Sequence, residues 1–470
     1  MEAERLNRDT VIGLFAMAVG ILVVANDFTA LSVAIPAIEK TFNSDVTTAQ
    51  WVVNSYAMVF GIVIVTGGRL ADMFGRRRMF LIGAGIFAVF SVIGGLAPDI
   101  RLLLACRAIM GIGGALMWPA VLGMTYEIVP DSRAGLAGGL IIGVAGIGNA
   151  MGPLLGGVLT DTLGWQWIFF INAPVALLGI TTVLLVVPRD KPTDPGQRID
   201  YGGIAVLTVG LFALLLALDW GVDRGWTDPV ILLLFALAAF CLIGFGLYET
   251  HLGETALVPR SVMRKLTFAM ATLATLMIAA VFFGALIYLP QFMIKNLGFT
   301  AIGAGAGLLP VMLTFALVSF VAGRVYEVLG AKLMVSIGAA LLAGGMFLLS
   351  AIQPGTTYDQ LVPGMIVLGI GIGIFYSSTT TAGVTALDSS QSSLAGAVIY
   401  MANVAGGAIG LGMNTAIVVS SDSLSEGIGN AFVVNGSLAV VGVLIAVLFI
   451  GGPIDKKRLR ALRHHHRAHT

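Results

Sequence analysis

Two charged side chains lie inside long apolar segments of this sequence. Asp27 is the one acid placed well inside such a segment, and Arg107 is the one base. A charge at the centre of a bilayer costs about 2.5–3.5 kcal/mol on insertion scales, so residues of this kind are functional by default. A buried carboxyl group can bind and release a proton as its access to water changes, and a neighbouring guanidinium favours its charged form. The alternative is a structural ion pair between the two segments.

A second concentration of charge occurs at residues 68–77, which read GRLADMFGRR. Gly68 and Gly75 permit a close approach and a tight turn between two helices. Asp72 can accept hydrogen bonds from Arg76, and its negative charge is also favoured at the N-terminus of another helix. The pattern predicts a charged contact between helices. A turn that only orients the chain in the membrane is the alternative.

Composition identifies the solvent around these segments. The chain has 470 residues, of which 57% are hydrophobic and 11% are charged, and its mean hydropathy is +0.96. A soluble domain carries about a quarter charged residues, so lipid must cover most of this surface. The net charge of +1 gives no indication of nucleic-acid binding. Cys106 and Cys241 lie in apolar runs, which favours small buried side chains over a disulfide or a metal site.

The apolar runs number fourteen, and each approaches the length of about 20 helical residues that crosses a bilayer. They must be helices, because lipid offers no partner to backbone amides. The predicted spans are Val11–Ala37, Ala49–Leu70, Met79–Leu96, Leu102–Tyr126, Ala134–Leu159, Trp167–Val187, Gly202–Leu218, Val230–Tyr248, Phe268–Met293, Gly303–Tyr326, Leu333–Ile352, Leu361–Leu387, Leu394–Val419 and Ala431–Ile450.

The distribution of positive charge predicts the orientation. Of the 26 lysines and arginines, 21 fall on the side that an even number of spans gives to both termini, and 4 fall on the other. Both termini are therefore expected in the cytosol. The C-terminal segment is basic and contains HHHRAH. We expect it to be solvated, with contact to anionic headgroups or metal binding as alternatives.

The charged loop occurs twice. Residues 323–332, GRVYEVLGAK, repeat its glycine, arginine, acid, glycine and basic positions 255 residues later. The predicted fold is therefore an all-α membrane protein of two six-helix halves, an arrangement typical of secondary transporters. The other two spans, Gly202–Leu218 and Val230–Tyr248, are inserted between the halves. They are expected to pack peripherally, away from the substrate path, because neither contains an acid or a base. The predicted division is an N-terminal bundle at 1–190, a linker with two extra helices at 191–258, a C-terminal bundle at 259–452 and a basic tail at 453–470.

Several segments together resemble the major facilitator superfamily, and in particular its fourteen-span drug:proton antiporters. The loop from Gly68 is similar to the family motif G-x-L-A-D-x-x-G-R-[KR]. LACRAIMGIGGA around Arg107 resembles the family's fourth-span motif, with Met110 in place of the usual glutamine. DFTALSVAIP from Asp27 and WQWIFFINAP from Trp165 are similar to segments of the fourteen-span family. The resemblance covers nearly the whole chain.

The resemblance implies a role in the transport cycle for two segments, the charged loop and the fifth span. The charged loop would latch the two halves together on the cytosolic side in the outward-facing state. The residues of this gate would be Gly68, Asp72, Gly75, Arg76, Arg77 and Glu127. The fifth span carries an antiporter-like motif, in which glycines four apart let a backbone come close and a proline removes a backbone donor. Its residues are Gly148, Gly152, Pro153, Gly156 and Gly157. A role in closing the periplasmic side is expected, with ordinary helix packing as the alternative.

A substrate cavity is less visible in the sequence. The candidates are polar or aromatic residues inside spans, for which helix packing is the alternative role. They are Asn54, Tyr56, Trp118, Asn149, Tyr288, Tyr376, Tyr400 and Asn403. No G-x4-G-K-[ST] loop occurs, so the proton gradient and not ATP is the expected drive, without a cofactor.

The sequence thus predicts a monomeric exporter in a bacterial plasma (inner) membrane. It would exchange amphipathic or cationic drugs for protons by alternating access. Its partners would be the lipid bilayer, the small-molecule substrate and protons, and it would not be an enzyme. One alternative is export of a specific endogenous metabolite or lipid on the same fold. A second is a non-transporting membrane sensor or scaffold.

Overall fold

The computed structural model of the protein describes residues 8–189, 199–253 and 256–451. In these ranges the regular structure is helical, and fourteen helices are long and apolar enough to cross a membrane. We number them α1 (Arg8–Ala30), α2 (Val46–Phe74), α3 (Arg76–Gly95), α4 (Ile100–Ile128), α5 (Ala134–Thr162), α6 (Gln166–Val186), α7 (Tyr201–Arg224), α8 (Pro229–Leu252), α9 (Leu266–Lys295), α10 (Leu309–Leu329), α11 (Ala331–Leu349), α12 (Tyr358–Val384), α13 (Ser392–Val419) and α14 (Leu424–Phe449). The predicted number of spans and the all-helical class are confirmed.

Two predicted spans are divided in the structure. The first run continues beyond α1 as a 3-10 turn at Leu31–Val33 and a short helix at Ile35–Phe42. The tenth run is a short helix at Ala301–Gly307 followed by α10. Each new helix carries a proline in its first turn, where the missing N–H is tolerated.

The helices form two equivalent halves, α1–α6 and α9–α14. Within the first half α2 packs on α4, α3 on α4 and α6, and α1 on α5 and α6. The corresponding helices of the second half make the same pairs. The halves meet where α5 packs on α10 and where α2 packs on α13, two contacts that the repeat relates to each other. The duplication read from the two loops is thus present in the packing.

The inserted helices are not equally peripheral. α8 packs mainly on α7 and exposes most of its surface. α7 packs on α2 and α13, along the line where the two halves meet. It also extends to Arg224 and so contains Asp219, whose Oδ1 accepts a hydrogen bond from Nδ2 of Asn54 at 2.9 Å. The prediction of a peripheral pair without acids is therefore wrong for α7, because the helix continues past Leu218.

The basic tail at 453–470 and much of the segment before α7 lie outside the described residues, so the division into domains at 190, 258 and 452 stays a prediction. Cys106 and Cys241 are both buried, as expected for small apolar side chains. The end of the bundle that carries the loop between α2 and α3 is called the motif side below.

Candidate functional site

The two charges predicted inside the spans form an ion pair. Asp27 of α1 and Arg107 of α4 are fully buried, and Nη1 of Arg107 donates to Oδ2 of Asp27. Nε of Arg107 donates to the carbonyl oxygen of Val52 in α2 at 2.6 Å. The pair therefore joins three helices of the first half, on the part of α1 that is distant from the motif side.

Two further polar residues complete this cluster. Nδ2 of Asn172 in α6 donates to Oδ1 of Asp27 at 2.8 Å and approaches Oγ of Ser91 at 3.3 Å. Ser91 itself donates to the carbonyl oxygen of Phe169 at 2.7 Å. Neither residue was predicted from the sequence. The feature that could have indicated Asn172 is an asparagine inside an apolar span, within the WQWIFFINAP segment. Each carboxylate oxygen of Asp27 thus has its own partner, as buried charges require.

Aromatic rings enclose the guanidinium group of Arg107. Its Cζ lies 4.4 Å from the centroid of the Tyr56 ring and 5.8 Å from that of Phe169. Tyr56 is fully buried. A cation over an aromatic face is stabilised by the ring quadrupole, more so where water is excluded. Tyr56 was predicted to line a substrate cavity, and the structure places it against the ion pair.

Four rings form an aromatic cluster at the middle of the bundle, where the halves meet. Its members are Phe28 of α1, Phe60 of α2, Trp118 of α4 and Tyr400 of α13. The centroids of Trp118 and Tyr400 are 4.5 Å apart, and those of Phe60 and Tyr400 are 5.5 Å apart. Phe28 packs edge-on to Phe60 at 5.2 Å. The cluster therefore brings together two predicted cavity residues, Trp118 and Tyr400, across the two halves.

The other cavity candidates are dispersed. In the second half, Nδ2 of Asn403 donates to the hydroxyl of Tyr376 at 2.8 Å. Tyr288 shares a hydrogen bond with Thr415 at 2.7 Å, and Asn54 faces Asp219 as described above. The structure thus does not gather all eight candidates around one point.

The charged loop contacts the second half. Oδ2 of Asp72 accepts a hydrogen bond from the backbone N–H of Leu394 at 2.8 Å, and Oδ1 accepts one from Ser393 at 3.2 Å. Both amides belong to the first turn of α13, where the helix dipole favours an anion. A Cβ atom added at Gly68 would lie 2.6 Å from Cβ of Ala397, so the absence of a side chain permits this approach. Gly75 has a φ of 105°, which glycine adopts readily.

Arg76 connects the parts of this contact. Its guanidinium group bonds Oδ1 of Asp72 at 3.1 Å and Oε2 of Glu127 at 2.9 Å. It also donates to the carbonyl oxygen of Ser389, in the segment before α13. Arg77 instead donates to the carbonyl oxygen of Leu184 in its own half, at 3.0 Å. Of the predicted gate residues, Asp72 and Arg76 thus bond directly to the other half, and Glu127 supports Arg76.

The repeated loop makes the equivalent contact in the opposite direction. Oε1 of Glu327, at the end of α10, accepts a hydrogen bond from the backbone N–H of Leu136 in the first turn of α5, at 3.3 Å. Gly323 lies against Gly135 and Gly139 of α5, where a side chain on either helix would collide with backbone. The second loop therefore forms one acid-to-amide bond where the first forms two.

The glycine motif of α5 faces α1. A Cβ atom at Gly148 would lie 2.8 Å from Cβ of Ala25, and Cβ atoms at Gly152 and Gly156 would collide with Thr29 and Ala30. Gly157 differs, since a Cβ atom there would have no neighbour within 4 Å. Four-residue spacing thus produces a close helix–helix contact, and Gly157 lies outside it.

The proline of this motif leaves a backbone acceptor without its helical donor. Pro153 has no N–H, so the carbonyl oxygen of Asn149 lacks the usual bond from four residues later. Oγ1 of Thr29 in α1 donates to that oxygen at 3.2 Å. This role of Thr29 was not predicted, although the residue lies in the DFTALSVAIP segment. The bond joins α1 to α5 two residues beyond Asp27.

Two duplicated six-helix halves, joined by a repeated loop contact, define the class of secondary membrane transporters. The sequence model of the Major Facilitator Superfamily matches residues 17–411, and the chain belongs to this family. Members of the family are non-enzymatic transporters, which confirms the prediction that the protein is not an enzyme.

Individual relatives and a solved structure agree with this assignment. The chain is 30% identical over 452 residues to the puromycin resistance protein of Streptomyces alboniger, covering 94% of this chain and 88% of that protein. It is 32% identical over 438 residues to the cephamycin export protein of Amycolatopsis lactamdurans, covering 90% and 88%. The crystal structure of the human organic anion transporter TETRAN superposes with a TM-score of 0.70 at 15% identity, covering 93% of this chain and 99% of that one. This last likeness concerns the fold.

Proposed function

We propose that this protein exports amphipathic or cationic small molecules in exchange for protons. The observation that carries the proposal is the buried cluster of Asp27, Arg107 and Asn172. A carboxyl group with one cationic and one neutral partner can exist in two protonation states, and the surrounding contacts decide which one is favoured. Similarity to proteins named for antibiotic resistance and export supports both the direction of transport and the kind of cargo.

The positive charges support an orientation with both termini and the motif side in the cytosol of a bacterial cell, the chain being embedded in the plasma membrane. In this orientation Asp27 lies nearer the periplasmic face, from which protons enter. The proton gradient supplies the free energy, and the protein acts as a monomer without a cofactor.

The gate contacts fit alternating access. The bonds of Asp72 and Arg76 to the segment around the start of α13 hold the cytosolic side closed, and the close contact of α5 with α1 shapes the periplasmic side. A single charge–dipole contact contributes on the order of 1 kcal/mol, small enough to break in each transport cycle. The aromatic cluster provides ring faces that attract flat or cationic cargo.

The test is transport by the purified protein in proteoliposomes, with ethidium as a fluorescent lipophilic cation. An imposed pH gradient should drive ethidium against its own gradient, and a protonophore should abolish this movement. Ethidium transport that is indifferent to the pH gradient would overturn proton exchange.

A growth assay separates the alternatives. A deletion strain should become sensitive to several members of a panel of cations, dyes and lipophilic drugs, and the intact gene should restore growth. Unchanged growth on every member, together with measurable pH-driven transport of an endogenous metabolite, would favour a specific metabolite exporter. A sensor or scaffold would transport nothing in proteoliposomes.

A further inference from the structure

We propose that Tyr56 couples cargo occupancy of the aromatic cluster to protonation of Asp27; this inference rests on the proposed function. The ring of Tyr56 lies between the two sites. One face covers the guanidinium group of Arg107, with 4.4 Å between Cζ and the ring centroid. The same ring contacts Phe28 at 4.9 Å, with the two ring planes at 73°, and Phe60 at 6.0 Å. Tyr56 is therefore a positioning residue, acting through Arg107.

The ring contacts form a continuous connection across the two halves. From Tyr56 they pass to Phe60, and Phe60 contacts both Trp118 at 6.5 Å and Tyr400 at 5.5 Å. Tyr400 belongs to α13, the helix whose first turn receives Asp72. Cargo that enters the aromatic cluster must therefore displace rings that pack, directly or through Phe60, on Tyr56.

Two polar atoms at the end of this connection are unsatisfied. Within the described residues, the hydroxyl of Tyr56 and Nη2 of Arg107 are buried and have no hydrogen-bond partner. Buried polar groups normally have one, so these two atoms favour the entry of water when the packing around them loosens. The titratable groups that face Tyr56 are Asp27, Arg107 and Tyr400.

These observations define the sequence of events. With the cluster empty, the Tyr56 ring excludes water from Arg107 and Asp27. A protonated Asp27 keeps its proton in this state. When cargo displaces Phe60 and Tyr400, the ring moves and water reaches the carboxyl group. The neutral carboxyl group then gives its proton to a water molecule, which becomes hydronium, and the resulting carboxylate pairs with Arg107, as exchange of cargo for protons requires. Removing the ring should let protons reach Asp27 without cargo, whereas removing only the hydroxyl should not.

The experiment compares Tyr56→Phe with Tyr56→Leu in proteoliposomes that contain a pH-sensitive dye. Proton movement is measured with and without ethidium. Tyr56→Phe should show no proton leak without cargo, because the ring remains. Tyr56→Leu should show a cargo-independent proton leak, and its ratio of cargo-stimulated to basal proton flux should fall by about tenfold, within the usual range of coupling between sites.

Phe87→Leu is the matched control. Phe87 contacts the Tyr56 ring at 6.3 Å but belongs to α3, away from the aromatic cluster. This variant should stay tightly coupled, so that a leak in both leucine variants would show a general packing defect and overturn the inference. If Tyr56→Leu does not fold, Phe60→Leu removes the next ring in the connection and should uncouple likewise.

The outcomes separate the two proposals. A wild-type protein without pH-driven transport would overturn the proposed function. A coupled wild type together with an equally coupled and leak-free Tyr56→Leu variant would overturn only the role of Tyr56.

Discussion

Asp72 and Glu327 make the same contact in opposite directions between the two halves. Asp72 ends α2 and bonds two backbone amides at the start of α13, at 2.8 and 3.2 Å. Glu327 ends α10 and bonds one amide at the start of α5, at 3.3 Å. This contact is therefore duplicated with the fold, but its two copies are unequal. This inequality determines the first expected result.

Asp72→Asn should slow transport more than Glu327→Gln. Each amide variant keeps an acceptor oxygen but loses the negative charge that the helix N-terminus favours. If that charge contributes about 1 kcal/mol to each contact, its loss at two contacts shifts the closed state by about thirtyfold and its loss at one by about fivefold. Initial ethidium efflux rates, normalised to the amount of protein in the membrane, provide the measurement. Wild-type rates in Asp72→Asn, or a larger loss in Glu327→Gln, would contradict the assignment of the main gate.

The glycines of α5 offer a test with neighbouring residues. Gly156→Ala should impair transport, because its Cβ atom would collide with the carbonyl oxygen of Ala30. Gly157→Ala is the control, since its Cβ atom would have no neighbour within 4 Å, and alanine raises helix propensity by about 1 kcal/mol. Efflux and thermal stability should be lowered in the first variant alone. Equal effects of the two would show that the close approach to α1 is unimportant.

The bond between Thr29 and the Asn149 carbonyl should matter because of Pro153. Thr29→Val leaves this acceptor without its partner, at a cost of about 1–3 kcal/mol. In Pro153→Ala the helix regains the N–H that the carbonyl lacks. Thr29→Val should therefore cost less stability in that background. Melting temperatures of the four proteins of this double-mutant cycle, in detergent, give the comparison. Additive losses would show that Thr29 does not replace the proline's missing donor.

The outer surface of α8 should face lipid. Phe240 is 78% exposed and Leu233 is 68% exposed, and both are apolar. In a variant without Cys106 and Cys241, single cysteines at these two positions should resist a water-soluble maleimide, with or without cargo. A cysteine at Tyr400 serves as the comparison and should be protected by cargo. Labelling at position 240 that cargo prevents would place α8 on the transport route.

The repeats of glycines and charges predicted the fold well. The apolar runs predicted the fourteen spans, and the repeated loop predicted the two halves. The two charges inside apolar segments predicted the pairing of Asp27 with Arg107. Asn172 and Ser91, beside Asp27, were not predicted. A neutral polar side chain costs much less in a membrane span than a charged one, so it is not conspicuous in the sequence. The prediction that α7 packs peripherally was also wrong. It relied on a span that ends at Leu218 and contains no acid, whereas the helix continues through Asp219. Contacts between helices distant in sequence, such as Tyr56 with Arg107, required the three-dimensional packing.

The central claim is that Asp27 carries the proton, and Asp27→Asn tests it most directly. Asparagine keeps the shape of the side chain and mimics its permanently protonated form. In proteoliposomes with an imposed pH gradient, the wild type should accumulate ethidium against its gradient. Asp27→Asn should not, although it should still exchange ethidium across the membrane at equal concentrations and equal pH. Accumulation by Asp27→Asn with pH as the only drive would show that Asp27 is structural and that protons are coupled elsewhere.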